Sequence, residues 1–570
     1  MKKLLLIFSI LLFLTAAVIN CRRGSPTSKL NITHPFMNAL IPPEFPAPVF
    51  EWWSEAKDTA SYEVTLIISN KKYEIHDITY QQSWRPDETA WDSLKILSEN
   101  KEIHFTLRRK GERDFSSVSF RISEDTVGAP VLYSQMPIPY RAAEKQLDSM
   151  SYMLINFGSK EQPHTAMKGI FVCGNCHSFA ADGREMGLDL NTGIRTKGGY
   201  FISKVEDTIK FNQSNYNSWT KLEKRRTFGF FSKMSPDGRY IVTTVKDRVL
   251  VKNFMNPPME NVYYSQLLFP VNGHLAIYDR KTKTLKELPG AESDEYVHSN
   301  ATWTPDGKHI IFCRAKALKL ESDSSGYYAT VTDEQVINDF VDRKREFKYD
   351  LCIIPFNDGN GGVAEPIEGA SDNGKSNYFP AVSPDGKWLA YCQAENFMLL
   401  QPDARLYIVP LYGGKAKELK CNFNSMNSWH AWSPNSKWIT YVSKGLSPLT
   451  DLFLTHIDEK GNASIPVLID KARVHFKVVN YPEFVNIPAD QTFVMDYDFV
   501  EPEHVVRAYT SGDWDKVKQL LHKMEMQDLY FFREDYKNLS GILRRMGMTE
   551  EADRYDDLAE LTVDASVFGH

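Results

Sequence analysis

Residues Gly169–Leu190 read GIFVCGNCHSFAADGREMGLDL, and within them Cys173, Cys176 and His177 form a C-x-x-C-H pentad. With seven Cys and fourteen His in 570 residues, random placement yields that pentad on the order of 0.002 times per chain. Three chemistries use these donors. Two thiols two residues apart can add to the two vinyl groups of a haem, which brings the following imidazole under the iron as an axial ligand. The same pair can form a disulfide or a redox-active dithiol, although the usual βαβ context of such sites is missing. A metal knuckle would need a second ligand pair, and the nearby sequence offers none. If iron is bound through His177, the sixth position has four sequence candidates, Met186, His164, Met167 and His298, or is left to water.

Covalent haem attachment takes place outside the cytoplasm, and the start of the chain agrees with export. Lys2 and Lys3 precede the apolar run Leu4–Val18, which reads as the h-region of a signal peptide over residues 1–20. It is shorter than a membrane span requires. The run ends at AAVINC, so Cys21 stands where a bacterial lipoprotein is cleaved and acylated, with Asn20 bulkier than the residue usual before that cysteine. Residues 21–45, opening RRGSPTSKLN after Cys21, read as a tether. The expected location is the cell envelope, an outer-membrane lipoprotein facing the periplasm or the cell surface, with the membrane touched through the lipid alone. Cys173, Cys176 and His177 match residue for residue the haem-binding signature of c-type cytochromes, which the pentad resembles. That resemblance implies one covalent haem c and a redox partner or another envelope protein.

The elements that must hold the pentad are β-rich. Aromatic residues make up 12% of the chain, and helical periodicity is scarce before residue 500. A length of 570 residues predicts about two to four domains. The net charge of −6, with no dense Lys/Arg stripe, argues against a nucleic-acid partner. In residues 46–125, apolar and polar positions alternate over Tyr62–Ile68, Ile103–Leu107 and Val118–Ile122. The opening PAPVFEWW…YEV resembles a fibronectin-type-III sandwich, with Trp52 or Trp53 and Tyr62 in its core. Residues 126–170 read as a connector.

Over residues 171–500 one unit recurs: SKMSPDGRYIVTTV, ATWTPDGKHIIFCR, PAVSPDGKWLAYCQ and HAWSPNSKWITYVS. In each, two apolar strands flank a turn anchored at Asp237, Asp306, Asp385 or Asn435. Further strand-like runs follow every copy, and four strands per repeat, at separations of roughly 50 to 80 residues, describe propeller blades. The W-S-P-D-G-K text resembles TolB-like propellers. HSFAADGREMGLDL keeps the pattern, with Phe179 at the Trp303 position and Asp182–Gly183 at the turn, so the pentad enters a fifth blade that GGYFISKVEDTIKFN completes. A sixth could come from Val474–Tyr497, closed by a strand from APVLYSQMP. The expected fold is therefore mainly β: a sandwich, a propeller of five to six blades, and a helical segment over residues 501–570 whose GDWDKVKQLLHKM and GILRRMGMTEEADRYDDL resemble tetratricopeptide helices.

Among the remaining residues, Cys313, Cys352 and Cys392 read as small core hydrophobes, and Cys421 as a loop thiol that could react. His298 and His430 fall just before inner strands, where a propeller faces its channel. Leu268–Leu275 reads as a turn on the strength of its Asn and Gly. No Ser-His-Asp grouping, nucleophile elbow, phosphate loop or spaced carboxylate pair is present. Two further readings thus stand beside the haem: an envelope lipoprotein holding a peptide or saccharide in the propeller channel, and a propeller hydrolase.

Overall fold

The computed structural model describes residues 30–55, 60–69, 73–99, 101–137, 150–169, 176–190, 198–225, 227–229, 231–253, 266–319, 330–498, 500, 502–525 and 533–561. The leader, Cys21 and Cys173 lie outside them. The sandwich begins earlier than the composition implied, because two strands fall within the expected tether: β1 (Leu30–His34) and β2 (Ala39–Ile41). With β3 (Phe50–Ser54), β4 (Tyr62–Ile68), β5 (Glu74–Thr79), β6 (Ser83–Trp84), β7 (Ile103–Arg109) and β8 (Phe115–Ile122) they make sheets ordered β1-β3-β6 and β2-β8-β7-β4-β5. Strict alternation buries Tyr62, Val64, Leu66 and Ile68. Trp52 is the core indole, edge-on to Tyr62 at 5.3 Å, while Trp53 is exposed. Helix α1 (Glu88–Leu97), capped by Asp87, covers one edge of the core with Trp91 and Leu94.

Six four-stranded sheets follow. The expected connector is not one. It contains β9 (Val131–Pro137), β10 (Ser151–Ile155) and β11 (His164–Lys168). Blade 1 uses β12 (His177–Phe179), β13 (Glu185–Leu190), β14 (Gly199–Lys204) and, after β15 (Thr208–Phe211), β16 (Tyr216–Ser218). Blade 2 comprises β17 (Lys233–Met234), β18 (Tyr240–Asn253), β19 (Gln266–Asp279) and β20 (Thr284–Glu287). Blade 3 comprises β21 (Tyr296–Trp303), β22 (His309–Lys316), β23 (Asp350–Pro355) and β24 (Glu365–Pro366). Blade 4 runs through β25 (Ser376–Val382), β26 (Trp388–Ala394), β27 (Arg405–Pro410) and β28 (Lys417–Glu418). Blade 5 runs through β29 (Asn427–Trp432), β30 (Trp438–Ser443), β31 (Asp451–His456) and β32 (Val467–Leu468). Blade 6 joins the two ends of the domain, since β33 (Lys477–Phe484) pairs antiparallel with β9. The closing strand is the expected VLYSQMP. Two expected strands sit elsewhere: β15 leaves blade 1 and pairs in parallel with β34 (Val494–Tyr497).

The repeated turn works the same way in four blades. Ser235 Oγ donates to Asp237 Oδ1 at 2.6 Å and accepts from the Tyr240 amide at 2.9 Å. Thr304–Asp306–His309, Ser383–Asp385–Trp388 and Ser433–Asn435–Trp438 repeat both bonds. A short hydroxyl and a short carboxylate or amide thus close the corner locally. The tryptophans of the motif tie blades together: Trp303 Nε1 donates to Lys233 O at 3.2 Å and Trp432 Nε1 to Ala381 O at 3.0 Å, each reaching the preceding blade. In blade 1 Ala180 replaces the hydroxyl, and the seam to blade 6 is clasped by Asn486 Nδ2, which donates to Ala181 O at 2.7 Å.

The sandwich shares one hydrophobic cluster with blades 5 and 6, in which Trp438, Val442 and Leu452 continue the core of Phe50, Trp52 and Phe105. Ion pairs reinforce the join, Arg473 reaching Glu51 at 3.2 Å and Asp451 at 2.9 Å, and Arg85 reaching Asp470. Helices α2 (Trp219–Glu223) and α3 (Glu334–Val341) lie within the propeller, and α4 (Pro502–Ser511), α5 (Trp514–Glu525), α6 (Arg533–Arg545) and α7 (Thr549–Leu561) follow it. The last four share their own core, including Val517, Leu521, Leu539 and Leu543. No helix among the described residues is long and apolar enough to cross a membrane, which leaves β-barrel spanning unaddressed.

Candidate functional site

The propeller axis is closed by one residue from each blade. Four inner strands carry a register shift there, on β21, β25, β29 and β33, and a bulge re-aims the side chain that follows. Phe231, Asn300, Phe379, Trp429 and Tyr481 occupy that position with φ of 59°, 53°, 53°, 49° and 49°. Left-handed backbone is costly for side chains of this bulk, on the order of 1 kcal/mol each, and concentrates where function constrains the chain. The four rings fill the axis: Phe379 stacks on Trp429 at 4.7 Å, Phe231 meets Phe379 edge-on at 5.3 Å, and Tyr481 meets Trp429 at 5.0 Å.

Blade 1 puts Cys176 at this position, buried in the same cluster. A thiol stands where four of the other five blades place an aromatic ring. His177, the next residue, opens β12 opposite Leu188 and is 0% exposed. Its imidazole meets Tyr152 at 5.5 Å, Phe179 at 5.9 Å and Tyr481 at 5.2 Å, edge-on in each case. Burial drives the Tyr152 and Tyr481 hydroxyls far above the usual phenol range, with Cys176 adding to the effect on both. The two rings stay neutral.

The donor set fits a covalent haem: two thiols and an imidazole in the order that two vinyl groups and one iron require. One condition attaches. Tyr152, Phe179 and Tyr481 cover the imidazole, so at least one of these rings must turn aside before a ring nitrogen can take a ligand. The four sixth-ligand candidates are scattered. Met186 pairs with Phe179 across the sheet and so shares the face of His177, packed with Tyr152 and Met167 in a closed cluster. His164 starts β11, the outermost strand of blade 6, and His298 lies on blade 3. None of them stands across an open face from His177. Among the described residues no group of three or more His, Cys, Asp or Glu assembles that could hold a metal ion.

The remaining cysteines behave as expected, with one correction. Cys313, Cys352 and Cys392 are wholly buried. Cys421 is buried too, and burial pushes its thiol up to about 12, so it is inert rather than a reactive loop thiol. Cys392 Sγ lies 3.7 Å from His430 Nδ1, but burial holds the thiol at about 12 and the imidazole at about 4, a neutral pair.

On the turn-motif side of the ring of plug residues lies a funnel of about 420 Å³ reached by the inner strands of all six blades. Tyr481 belongs both to its floor and to the His177 cage. Its one ion pair is Lys233–Glu483 at 2.9 Å, among the described residues that line it, with Lys233 Nζ also donating to His177 O at 3.3 Å. Burial raises the Glu483 carboxyl, and Lys233 partly offsets this. His298 and His430 lie within the inner strands β21 and β29 rather than before them, and both are buried; His430 lines the funnel and His298 does not. Sequence reasoning missed the plug, because nothing in a one-dimensional pattern marks a bulged aromatic. It also misread Leu268–Leu275, which is no turn but the middle of β19.

No family model matches the sequence, and no curated protein matches it. Among solved structures, TolB from Acinetobacter baumannii is similar at 13% identity and a TM-score of 0.38, over 68% of this chain and 79% of that one. Hydrazine synthase from Kuenenia stuttgartiensis gives 13% and 0.30, over 61% and 88%. Oligogalacturonate lyase from Vibrio parahaemolyticus gives 11% and 0.28, over 55% and 84%. At such scores these likenesses carry no argument about the site, and the propeller rests on its own sheet order.

Proposed function

We propose that this chain is an exported cell-envelope propeller, anchored to the outer membrane through a lipid on Cys21, that carries one haem c. Cys173 and Cys176 would hold the group through thioethers and His177 would ligate its iron, and the protein serves electron transfer or haem-based sensing with a redox or envelope partner. The observation that carries this is the placement of Cys176–His177. The pair stands at the head of an inner strand, at the one blade where a thiol replaces or sits among the residues that close the axis. Bound there, the group supplies one-electron redox chemistry at iron, tuned by ligation and burial. The chain's part is positional. Of the three rings against His177, those that stay when one turns aside would hold the plane of the imidazole by edge contacts, the tyrosine hydroxyls are neutral and add no charge, and the surrounding cluster excludes water. Production in a host with c-type maturation should give a Soret band that survives denaturation, lost in Cys173→Ala/Cys176→Ala. A colourless product in such a host overturns the reading.

A second reading is supported by the funnel, which holds a space of about 420 Å³ with a floor closed by aromatic rings. In this reading the protein is haem-free and binds a peptide or saccharide end in that cup. Saturable stabilisation of colourless protein by oligosaccharide or peptide supports it over the first.

A further inference from the structure

In blade 2 the long hairpin of β18 and β19 kinks where Lys246, Asp247 and Arg248 face Asn272 and Gly273, with register shifts on both sides of Arg248. Lys246 is left-handed at φ 53°, and Gly273 sits at φ 147° where a Cβ would come 2.6 Å from Thr244 Cγ2. The kink opens a polar cavity of about 180 Å³, lined by Arg225, Lys246, Arg248, Asn272, His274 and Tyr296 among others. Arg225 reaches it from the turn after α2.

The charges around the cavity are mostly committed. Glu287 takes Lys246 and, at 3.0 Å, His274 Nδ1. Asp294, fully exposed, takes His274 Nε2 at 3.0 Å. Asp247 Oδ1 accepts from Thr227 Oγ1 at 2.5 Å and from the Phe228 amide at 2.7 Å. Glu223, from α2, is held up by burial. Arg225 is half-buried and has no ion pair within 4 Å among the described residues. Its guanidinium is weakened first by burial and then by Arg248 beside it, with Asp247, Asp294 and Glu223 only partly compensating. Asn272 donates through Nδ2 to Leu318 O at 3.1 Å, while its Oδ1 is enclosed without a partner. Arg225 and the unused Asn272 acceptor therefore look onto one small polar space beside Arg248, which is itself engaged elsewhere, and a buried acceptor left unmade is costly.

We infer that this cavity is a binding site for a small oxyanion that also carries a hydroxyl, as in hydrogen phosphate or a short hydroxy acid. Arg225 and Arg248 meet the anionic oxygens, for which the planar guanidinium fork is suited, and Asn272 Oδ1 accepts from the hydroxyl. The site is independent of the haem and of the funnel, so it can be tested on colourless protein. Titration calorimetry on the full mature chain at constant ionic strength would use inorganic phosphate, lactate, sulfate and acetate. Phosphate or lactate should bind saturably, and at least about tenfold more tightly than the hydroxyl-free sulfate or acetate. Arg225→Gln should lose that binding by about tenfold or more, and Arg225→Lys should retain it only weakly. An Asn272→Leu variant that melts like the parent should erase the preference over sulfate and acetate. Absence of saturable heat with phosphate and lactate overturns the inference. So does equal binding of all four anions, or unchanged affinity in Arg225→Gln. Should Arg225→Gln fail to fold, the Asn272→Leu comparison decides alone.

Discussion

Lowering the pH from about 7.5 to about 5 should destabilise this protein, because three imidazoles are buried neutral. His34, His298 and His430 are 1%, 2% and 9% exposed, and burial as the largest cause holds them at about 3, about 4 and about 4 against an ordinary 6.5. The sign follows from proton counting. Below about pH 6.5 the unfolded chain takes up protons that the folded chain refuses, so stability is complete above that value and drains as the pH falls toward about 4. Between about pH 7.5 and about pH 5 each imidazole accounts for about 2 kcal/mol, or about 6 kcal/mol for the three as an upper bound. Carboxyls raised by burial, Glu483 and Asp451, work in the opposite sense and trim this. The assay is urea unfolding followed by tryptophan fluorescence across that range, on the parent and on a His34→Gln/His298→Gln/His430→Gln variant. The parent should lose several kcal/mol and the variant should show a much flatter profile. A parent profile that is flat from about pH 7.5 to about pH 5, or equally steep in the variant, refutes the reasoning.

Other consequences are more local. Trp303→Phe removes the bond to Lys233 O and should cost about 1–2 kcal/mol in urea unfolding, with Trp432→Phe costing a similar amount. Phe231→Ala, at a fully buried plug position, should cost about 3–5 kcal/mol and open the funnel floor, seen as slower-dissociating or newly bound apolar dye. Gly183→Ala combines a left-handed φ of 71° with a Cβ placed 2.3 Å from Asn486 O. It should loosen the seam between blades 1 and 6, read as faster hydrogen exchange in β12 and β33. Lys233→Met leaves Glu483 unpaired and should destabilise by about 1–3 kcal/mol, whereas adding Glu483→Gln should recover most of the loss.

The blade repeat was legible because its chemistry is local. A hydroxyl, a carboxylate or side-chain amide, and a backbone N–H five residues on close each corner, so Asp237, Asp306, Asp385 and Asn435 announce their hairpins in one dimension. The closing blade was only half legible, since β33 pairs with β9 from the other end of the domain. No local rule records that partnership. Of the strands within residues 30–45 and 126–170, β9 was expected from its text, whereas β1, β2, β10 and β11 were overlooked, being short segments whose pattern does not name a partner. At the site, the pentad could be read, but its setting could not. That Phe231, Phe379, Trp429 and Tyr481 come together beside Cys176 depends on left-handed backbone at those four, with bulges at the last three, which leaves no mark in composition or period. The polar cavity of blade 2 escaped because Asn272 and Gly273 look like a turn and instead stand across from a bulge.

The central claim is that Cys173 and Cys176 hold a porphyrin covalently beside His177, and intact mass of the mature chain tests it most directly. Made in an exporting host with c-type maturation, the protein should weigh its cleaved, acylated polypeptide plus one haem, and Cys173→Ala/Cys176→Ala should lose that increment alone. A parent mass equal to the acylated polypeptide with nothing added contradicts the account.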